Sequence, residues 1–328
     1  MNIDQLIESL NAGEQWHDDG RVKLDNLGIT PSPNLRIIEG DVGTETGNIK
    51  TDGNLLIKGS VGQQYSVKCG GIAVICNRVE AGAQIFCKGD LIISGRVVGR
   101  QTNVLALGHI FLRGIEEATV QCSKDLWFGE SLSYANVRTG GKLKTPTDGK
   151  GFVKGGEVWA LNKIEVATAG SEGHSATMFT SGVDPIRAKD LDKCNKALAE
   201  ASKLIMKQLL RFNMDRIDIK LIKERLSKSS GPQKRILTQA AHILGQQIQS
   251  RQQSMAEKKR ILDEALSSLD DDGGMLVWGQ VYPGVQIQMG EHNFKVEDKY
   301  DRLFTSIDSG AKTVEVIVNR DGVNHQLG

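Results

Sequence analysis

Hydrophobic positions recur along the first half of the chain at a fixed step of 18 residues. Ile57, Ile75, Ile93 and Phe111 form one column, and Val61, Val79, Val97 and Ile115 form a second. A third reads Thr51, Cys69, Cys87 and Leu105, then slips by one to Cys122 and Thr139, while glycines keep step at Gly53, Gly71 and Gly89. Three columns with one period mark an internal repeat, and 18 residues are too few for helix–turn–helix units, which need about 33. Within each unit the texture is strand-like, as in Leu55–Val61 and Leu91–Val97. Three short strands per unit predict a mainly β protein in which residues 35–185 form a three-sided parallel β-helix, right-handed favoured. Like side chains then stack in vertical ladders, and six or seven coils rise about 30 Å at the spacing of neighbouring strands.

Such a solenoid has open edges at both ends. Ile3, Leu6, Ile7 and Leu10 follow helical spacing, with Gly13 placed to end the helix, so residues 1–34 are expected to cap the first coil. At the other end, in residues 272–328, alternation returns. Val281, Val285, Ile287 and Met289 surround Tyr282–Gly284, and Val314, Val316 and Val318 follow. These strands are expected to rejoin or cap the solenoid.

Between them, residues 186–271 lose glycine and gain helical periodicity. Leu191, Cys194, Leu198, Ile205, Leu209 and Phe212 step by three, four or seven, as do Ile236, Ala240 and Ile243 and later Leu262, Leu266 and Leu269. Ser229–Pro232 interrupts the run, with Gly231 suited to a turn and Pro232 to a first helical turn. The pattern predicts an antiparallel coiled-coil hairpin whose first arm, of about 43 residues, reaches roughly 64 Å.

Charge sharpens this picture. The whole 328-residue chain carries a net +1, yet residues 186–270 hold 18 bases against 10 acids, and the remainder is correspondingly acidic. The expected hairpin tip concentrates Arg216, Lys220, Lys223, Arg225, Lys228, Lys234 and Arg235 beside two acids. A solvated helical surface accounts for such a run. As a contact, it suits an acidic protein surface first, and anionic lipid or nucleic acid second. No aromatics interleave these bases, which disfavours single-stranded nucleic acid.

Candidate chemistry is sparse. Phosphate-loop, zinc-helix, nucleophile-elbow and dinucleotide motifs are absent, and the six histidines form no i,i+4 pair. No cofactor or metal is expected. Cys69 and Cys87 would meet on adjacent coils, as reduced core thiols. Gly155, Gly156, Glu157 and Val158 read as a modified coil: a backbone bend, then a residue returning inward. With 37 glycines, 5% aromatics, no apolar run near 18 residues and no basic leader, the composition suits a soluble cytoplasmic β protein.

Five stretches carry a family resemblance: Thr-Gly-Asn-Ile (46–49), Gly53–Val61, Glu117–Cys122, Ser133–Lys142 and Gly155–Ala160. Together with Tyr282–Val285, they resemble the flagellar assembly protein A family of bacteria over roughly residues 35–320. That resemblance implies a β-solenoid, a long helical hairpin and a short β return. It also implies a cytoplasmic bacterial protein without known catalysis, linked to flagellum assembly or polar organisation. The expectation is an interaction scaffold, with self-association open. Two rivals stand beside it. The six-residue step Ile49, Leu55, Val61, Val67, Ala73, Val79, Ile85, Leu91, Val97 is that of a left-handed β-helix acyltransferase. A filament-forming cytoskeletal solenoid would stack through uncovered ends.

Overall fold

The computed structural model describes residues 34–146, 150–182, 185–267, 274–290, 292–308 and 313–327. The chain divides into two compact units, Met1–Pro185 with Glu264–Gly328, and Ile186–Asp263. The expected cap at Ile3, Leu6, Ile7, Leu10 and Gly13 lies outside the described residues, as does most of the turn before Gly274.

The first unit is a parallel β-solenoid of about eight turns. Each coil contributes to three ladders. One runs through β1 (Leu35–Ile38), β3 (Asn54–Ile57), β5 (Ala73–Ile75), β7 (Leu91–Val98) and β9 (Ile110–Glu116), then β11 (Leu126–Thr139). Another runs through β2 (Ile49–Thr51), β4 (Ser66–Cys69), β6 (Gln84–Cys87), β8 (Asn103–Ala106) and β10 (Thr119–Cys122) into the second half of β11. The third begins as single bridges, Val42 to Val61 to Val79 to Val97, and broadens in later coils. Alternate residues point inward, and the buried side chains form one continuous core. The six-residue step is therefore real geometry in the early coils: it carries an inward residue from each ladder to the next. A repeat of that kind specifies a coil and no chemistry.

Two columns read from the sequence need correction. Cα pairing aligns Cys87 with Ala106, and Ala106 with Cys122, so Leu105 is not in the core row; it pairs with Phe86 and Gln121 on the outward face. Likewise Ile93 pairs with Leu112, and Phe111 pairs with Ile92. The cause is one added residue at a corner. Gly82 turns with φ 77° three residues after Val79, whereas Gln101 makes the matching turn, φ 66°, four residues after Val97. Replacing Ala106 by Leu should therefore overpack the row between Cys87 and Cys122 and cost about 1–3 kcal/mol. Leu105→Ala, removing a half-buried side chain, should cost under about 1 kcal/mol. Urea midpoints of the two variants test the register; a larger loss from Leu105→Ala would restore the uniform step.

Tight stacking also dictates glycine at particular corners. A Cβ on Gly108 would lie 2.1 Å from Asp90 Oδ1, the atom that accepts the His109 N–H at 2.5 Å. The same side chain that ties one coil to the next thus occupies the volume a larger residue would need.

After β12 (Leu143–Lys144), β13 (Phe152–Ala160), β14 (Lys163–Val166), β15 (Thr168–Ala169) and β16 (Thr177–Ser181), the chain departs into helices and comes back in register. Strand β17 (Gly274–Val277) pairs parallel with β14, Val281 bridges Ala169, and β18 (Val285–Met289) pairs parallel with β16. The Ser181 hydroxyl, donating to Asn162 O at 2.7 Å, lies 3.4 Å from Gly274 O, so exit and re-entry are neighbours. Pairing then turns antiparallel in every ladder. Strand β19 (His292–Lys295) lies on β18, Tyr300 on Val281, and β20 (Arg302–Asp308) on β17, with β21 (Thr313–Arg320) and β22 (Val323–Leu327) beyond. The last coil's edge is covered by this return, which removes an open template for strand addition.

Candidate functional site

The helical unit holds the basic residues, and its construction departs from a two-arm hairpin. Helix α1 spans Pro185–Arg211, α2 Ile219–Lys228 and α3 Gly231–Ser267. The predicted 43-residue first arm is thus broken. Asn213 takes φ 49°, and Asp218 caps α2 by accepting the Leu221 N–H on Oδ1 at 3.1 Å. The first helix, 27 residues long, reaches about 40 Å at 1.5 Å per residue. Ile205, Leu209, Phe212, Met214, Ile222, Leu237, Ala240 and Leu244 form the core that joins the three helices. On α3 the inward face is thus Leu237–Ala240–Leu244. Ile236, placed inward by the heptad reading, is 54% exposed.

This folding back assembles a pocket of about 230 Å³. Arg211 from the end of α1, and Arg225 and Lys228 from the last turns of α2, supply its positive wall; Asn213, Ser229 and Gln233 supply polar groups. Its floor is apolar, made by the buried rings and branches of Phe212 and Leu237. Ser229 closes α2 by donating to Leu226 O at 2.8 Å, and Gly231, at φ 57°, lets α3 start immediately. That start has no acidic residue in its first turn, so its positive dipole end adds to the wall. Lys228 pairs with Glu224, whereas no ion pair joins Arg211 or Arg225 to any carboxylate among the described residues.

Of the seven bases singled out by sequence, Arg225 and Lys228 line the pocket. Arg216, Lys220, Lys223, Lys234 and Arg235 are exposed and do not line it. Arg211 was missed, because it lies outside the local run and reaches the site only through the turn at Phe212–Asp218.

The remaining candidates are placed within the solenoid. Gly155 and Gly156 form a corner with φ 64° and 81°, where a Cβ on Gly156 would lie 2.2 Å from Ala135 O; Glu157 is exposed and Val158 returns to the core. Thr51, Cys69, Cys87, Cys122 and Thr139 share one row with Ala106. All five cysteines are free thiols. Cys69 Sγ donates to Gly53 O at 3.2 Å and Cys87 Sγ to Gly71 O at 2.9 Å. Burial pushes the Cys122 thiol up to about 12, so it stays protonated and inert. His109 accepts the Asp125 N–H on Nδ1 at 3.3 Å and packs beside Phe111. Among the described residues no group of three His, Cys, Asp or Glu side chains is placed to hold a metal, and no helix is long and apolar enough to cross a membrane.

One further charged group is built into the wall. Glu130, in a bulge of β11, receives Arg96 Nη2 at 2.7 Å and Arg113 Nη2 at 2.5 Å, each from an earlier coil. Burial opposes its ionisation, but hydrogen bonds from both guanidinium groups hold the carboxyl below the usual range. Its stabilising share is therefore complete above the unfolded carboxylate range near ~4.3 and is lost as pH falls through the lower folded value. Glu130→Gln should cost about 1–3 kcal/mol at pH 7, at the lower end because Arg96 is partly exposed. Urea melts at pH 7 and pH 3 should show that gap narrowing in acid; a constant gap would remove the ionic explanation.

The chain was compared with known proteins. No curated protein and no solved structure matches it. A family model does, described as the Flagellar Assembly Protein A beta solenoid domain, and it spans residues 34–311. That range takes in the coils, the helices between β16 and β17, and the first two strands of the antiparallel return, β19 and β20. With most of its length matched in this order, the chain belongs to the Flagellar Assembly Protein A β-solenoid family.

Proposed function

We propose that this protein is a non-catalytic bacterial scaffold in flagellum assembly or polar organisation, and that it works in the cytoplasm. Its helices, with the first arm of the coiled-coil hairpin broken into α1 and α2, present a basic tip to an acidic protein surface. The pocket carries this reading: it is walled by Arg211, Arg225 and Lys228 over a floor of Phe212 and Leu237. Guanidinium forks grip carboxylates, and an apolar floor takes the side chain next to them. Phosphates of a lipid surface or a nucleic acid would use the bases alone and leave the floor unfilled. Three ladders per coil support a three-sided cross-section, and the general hand of parallel crossovers supports a right-handed one.

The adjacency of Ser181 and Gly274 offers a direct test. A chain in which residues 186–263 are replaced by a short glycine-rich linker should keep its β-type circular dichroism. Affinity capture from bacterial lysate, run with the intact chain and the shortened one, should return partners for the first that the second has lost. Identical captures from both would overturn the assignment of binding to the helices.

A further inference from the structure

The antiparallel return that covers the last coil ends in an edge of its own. Strand β22 pairs with β21 and, among the described residues, with no other strand. Val323, Asn324, His325 and Gln326 are all exposed, Val323 at 57%, so the strand's far side is open. Backbone geometry tells which groups face that side. The two-residue turn Asp321–Gly322, with φ 53° and 81°, closes the hairpin on the pair Arg320–Val323. Bonded and non-bonded pairs then alternate along the hairpin. Val323, His325 and Leu327 bond to β21, while Asn324 and Gln326 turn their N–H and C=O groups to the open edge. Natural edges are guarded by charge, proline or a bulge. The sequence Val-Asn-His-Gln-Leu holds no Lys, Arg, Asp, Glu or Pro, and its pairing with β21 runs without a register shift.

We infer that β22 is a dimerisation edge, pairing antiparallel with β22 of a second copy of this chain about a two-fold axis through His325. The order of its residues selects that occupant. A two-fold contact sets residue i against j and j against i, so the strand must be complementary to its own reverse. Centred on His325, antiparallel pairing places Val323 against Leu327 of the second copy, Asn324 against Gln326, and His325 against itself. Apolar meets apolar and amide meets amide at each step. The same centre satisfies the backbone, because Asn324 and Gln326 hold the open groups and a directly opposed pair exchanges both N–H···O bonds. The facing of side chains agrees. On β21, Val318 and Val316 lie opposite His325 and Leu327 and point into the core, so Val323, His325 and Leu327 share that side. Leu327 packs against the core, whereas Val323 stands clear of it and gains a cover from Leu327 of the second copy. The contact closes after two chains, unlike end-to-end stacking of coils. It also lies past the family match, which ends at residue 311, and it involves none of the bases at the helical tip.

Disulfide trapping in the full chain tests it. At the axis the two His325 residues form a non-hydrogen-bonded pair with Cα atoms about 4.5 Å apart, within reach of a disulfide. Under mild copper-phenanthroline oxidation, His325→Cys should give a dimer whose bridge maps to position 325 in both chains. Val323→Cys, also exposed, should link to itself about tenfold more slowly or less, because the register sets it against position 327. Adding Gln326→Pro to His325→Cys should cut the bridge by about tenfold or more at an unchanged urea midpoint, since the lost N–H faces the open edge. The comparison of positions 323 and 325 stands whatever the proline does to folding. In sedimentation the wild-type chain should grow with concentration toward twice its mass and stop there. No bridge at 325, equal rates at 323 and 325, or a bridge indifferent to Gln326→Pro in a folded chain would overturn the proposal. Growth past two chains would overturn it in favour of stacking.

Discussion

Phe128→Ala should cost the solenoid about 3–5 kcal/mol, the range for deleting a fully buried aromatic ring. Phe128 is 0% exposed and stacks directly on Leu112, at the end of the column that begins with Ile57, Ile75 and Ile93. In a narrow coil each inward side chain has only its ladder neighbours and the opposite walls to fill the space. The surroundings therefore relax little, and the cavity remains. The damage should be local, because the stability of a stacked array is approximately a sum of nearest-neighbour terms. Buried thiols allow this to be read coil by coil. Cys122 pairs with Thr139, on the same strand as Phe128, whereas Cys69 lies several coils away. Under native alkylation at pH 8, Phe128→Ala should speed labelling of Cys122 by roughly a hundredfold or more, given that 1.4 kcal/mol is a factor of ten. Cys69 should change far less. Equal acceleration of both thiols would show that the coils open as one unit and would reject the nearest-neighbour account.

How far such details can be read from the chain depends on what each of them rests on. The 18-residue step was legible because stacked coils bring inward residues into contact, and contact demands matching shape: Val61, Val79 and Val97 bridge one another directly. The slip to Ala106 was not. An extra residue in the corner at Gly99–Gln101 looks like any other turn residue, and neighbouring Leu105 is as hydrophobic as a core position requires. Only the equivalence of Gly82 and Gln101, one a glycine and one not, reveals that both make the same left-handed turn. The break in the first helix had a readable signal, an Asn213–Asp218 stretch rich in cap formers, but the heptad pattern on either side masked it.

A second row, of the residues between the inward ones, was equally legible: Leu56, Val74, Ile92 and Phe111, all buried. Leu55–Ile57, Ala73–Ile75, Leu91–Ile93 and Ile110–Leu112 are unbroken apolar runs where a half-solvated strand would alternate. A strand apolar on both faces is covered on both faces, and that inference needs no coordinates. The pocket at the tip is the opposite case. Its bases come from two helices separated by a reversal, so no local window of sequence contains Arg211, Arg225 and Gln233 together as neighbours.

That non-local construction separates the site from mere charge. If the proposed acidic surface binds there, Arg211→Glu with Arg225→Glu should weaken its capture at least a hundredfold. Truncating one member of a desolvated charge pair costs about 2–5 kcal/mol, and reversal adds repulsion. Lys220→Glu with Lys223→Glu changes the tip's net charge by the same amount but leaves the pocket walls intact. Exposed rim charges are worth about 0–1 kcal/mol each, so this pair should chiefly slow association and flatten its salt dependence. An acid at position 211 also opposes the dipole at the end of α1, which costs about 0.3–1 kcal/mol, so Arg211→Gln with Arg225→Gln serves as the milder control. Helicity by circular dichroism should be unchanged in all three variants. Binding of proteins captured by the wild-type chain, followed by interferometry across a salt series, then discriminates two mechanisms. If both charge-reversed pairs lose affinity equally, the tip acts as a diffuse positive field. If only the Arg211 and Arg225 variants lose it, while the Lys220 and Lys223 pair dissociates at the wild-type rate, recognition resides in the walls that the folded-back helices build over Phe212 and Leu237.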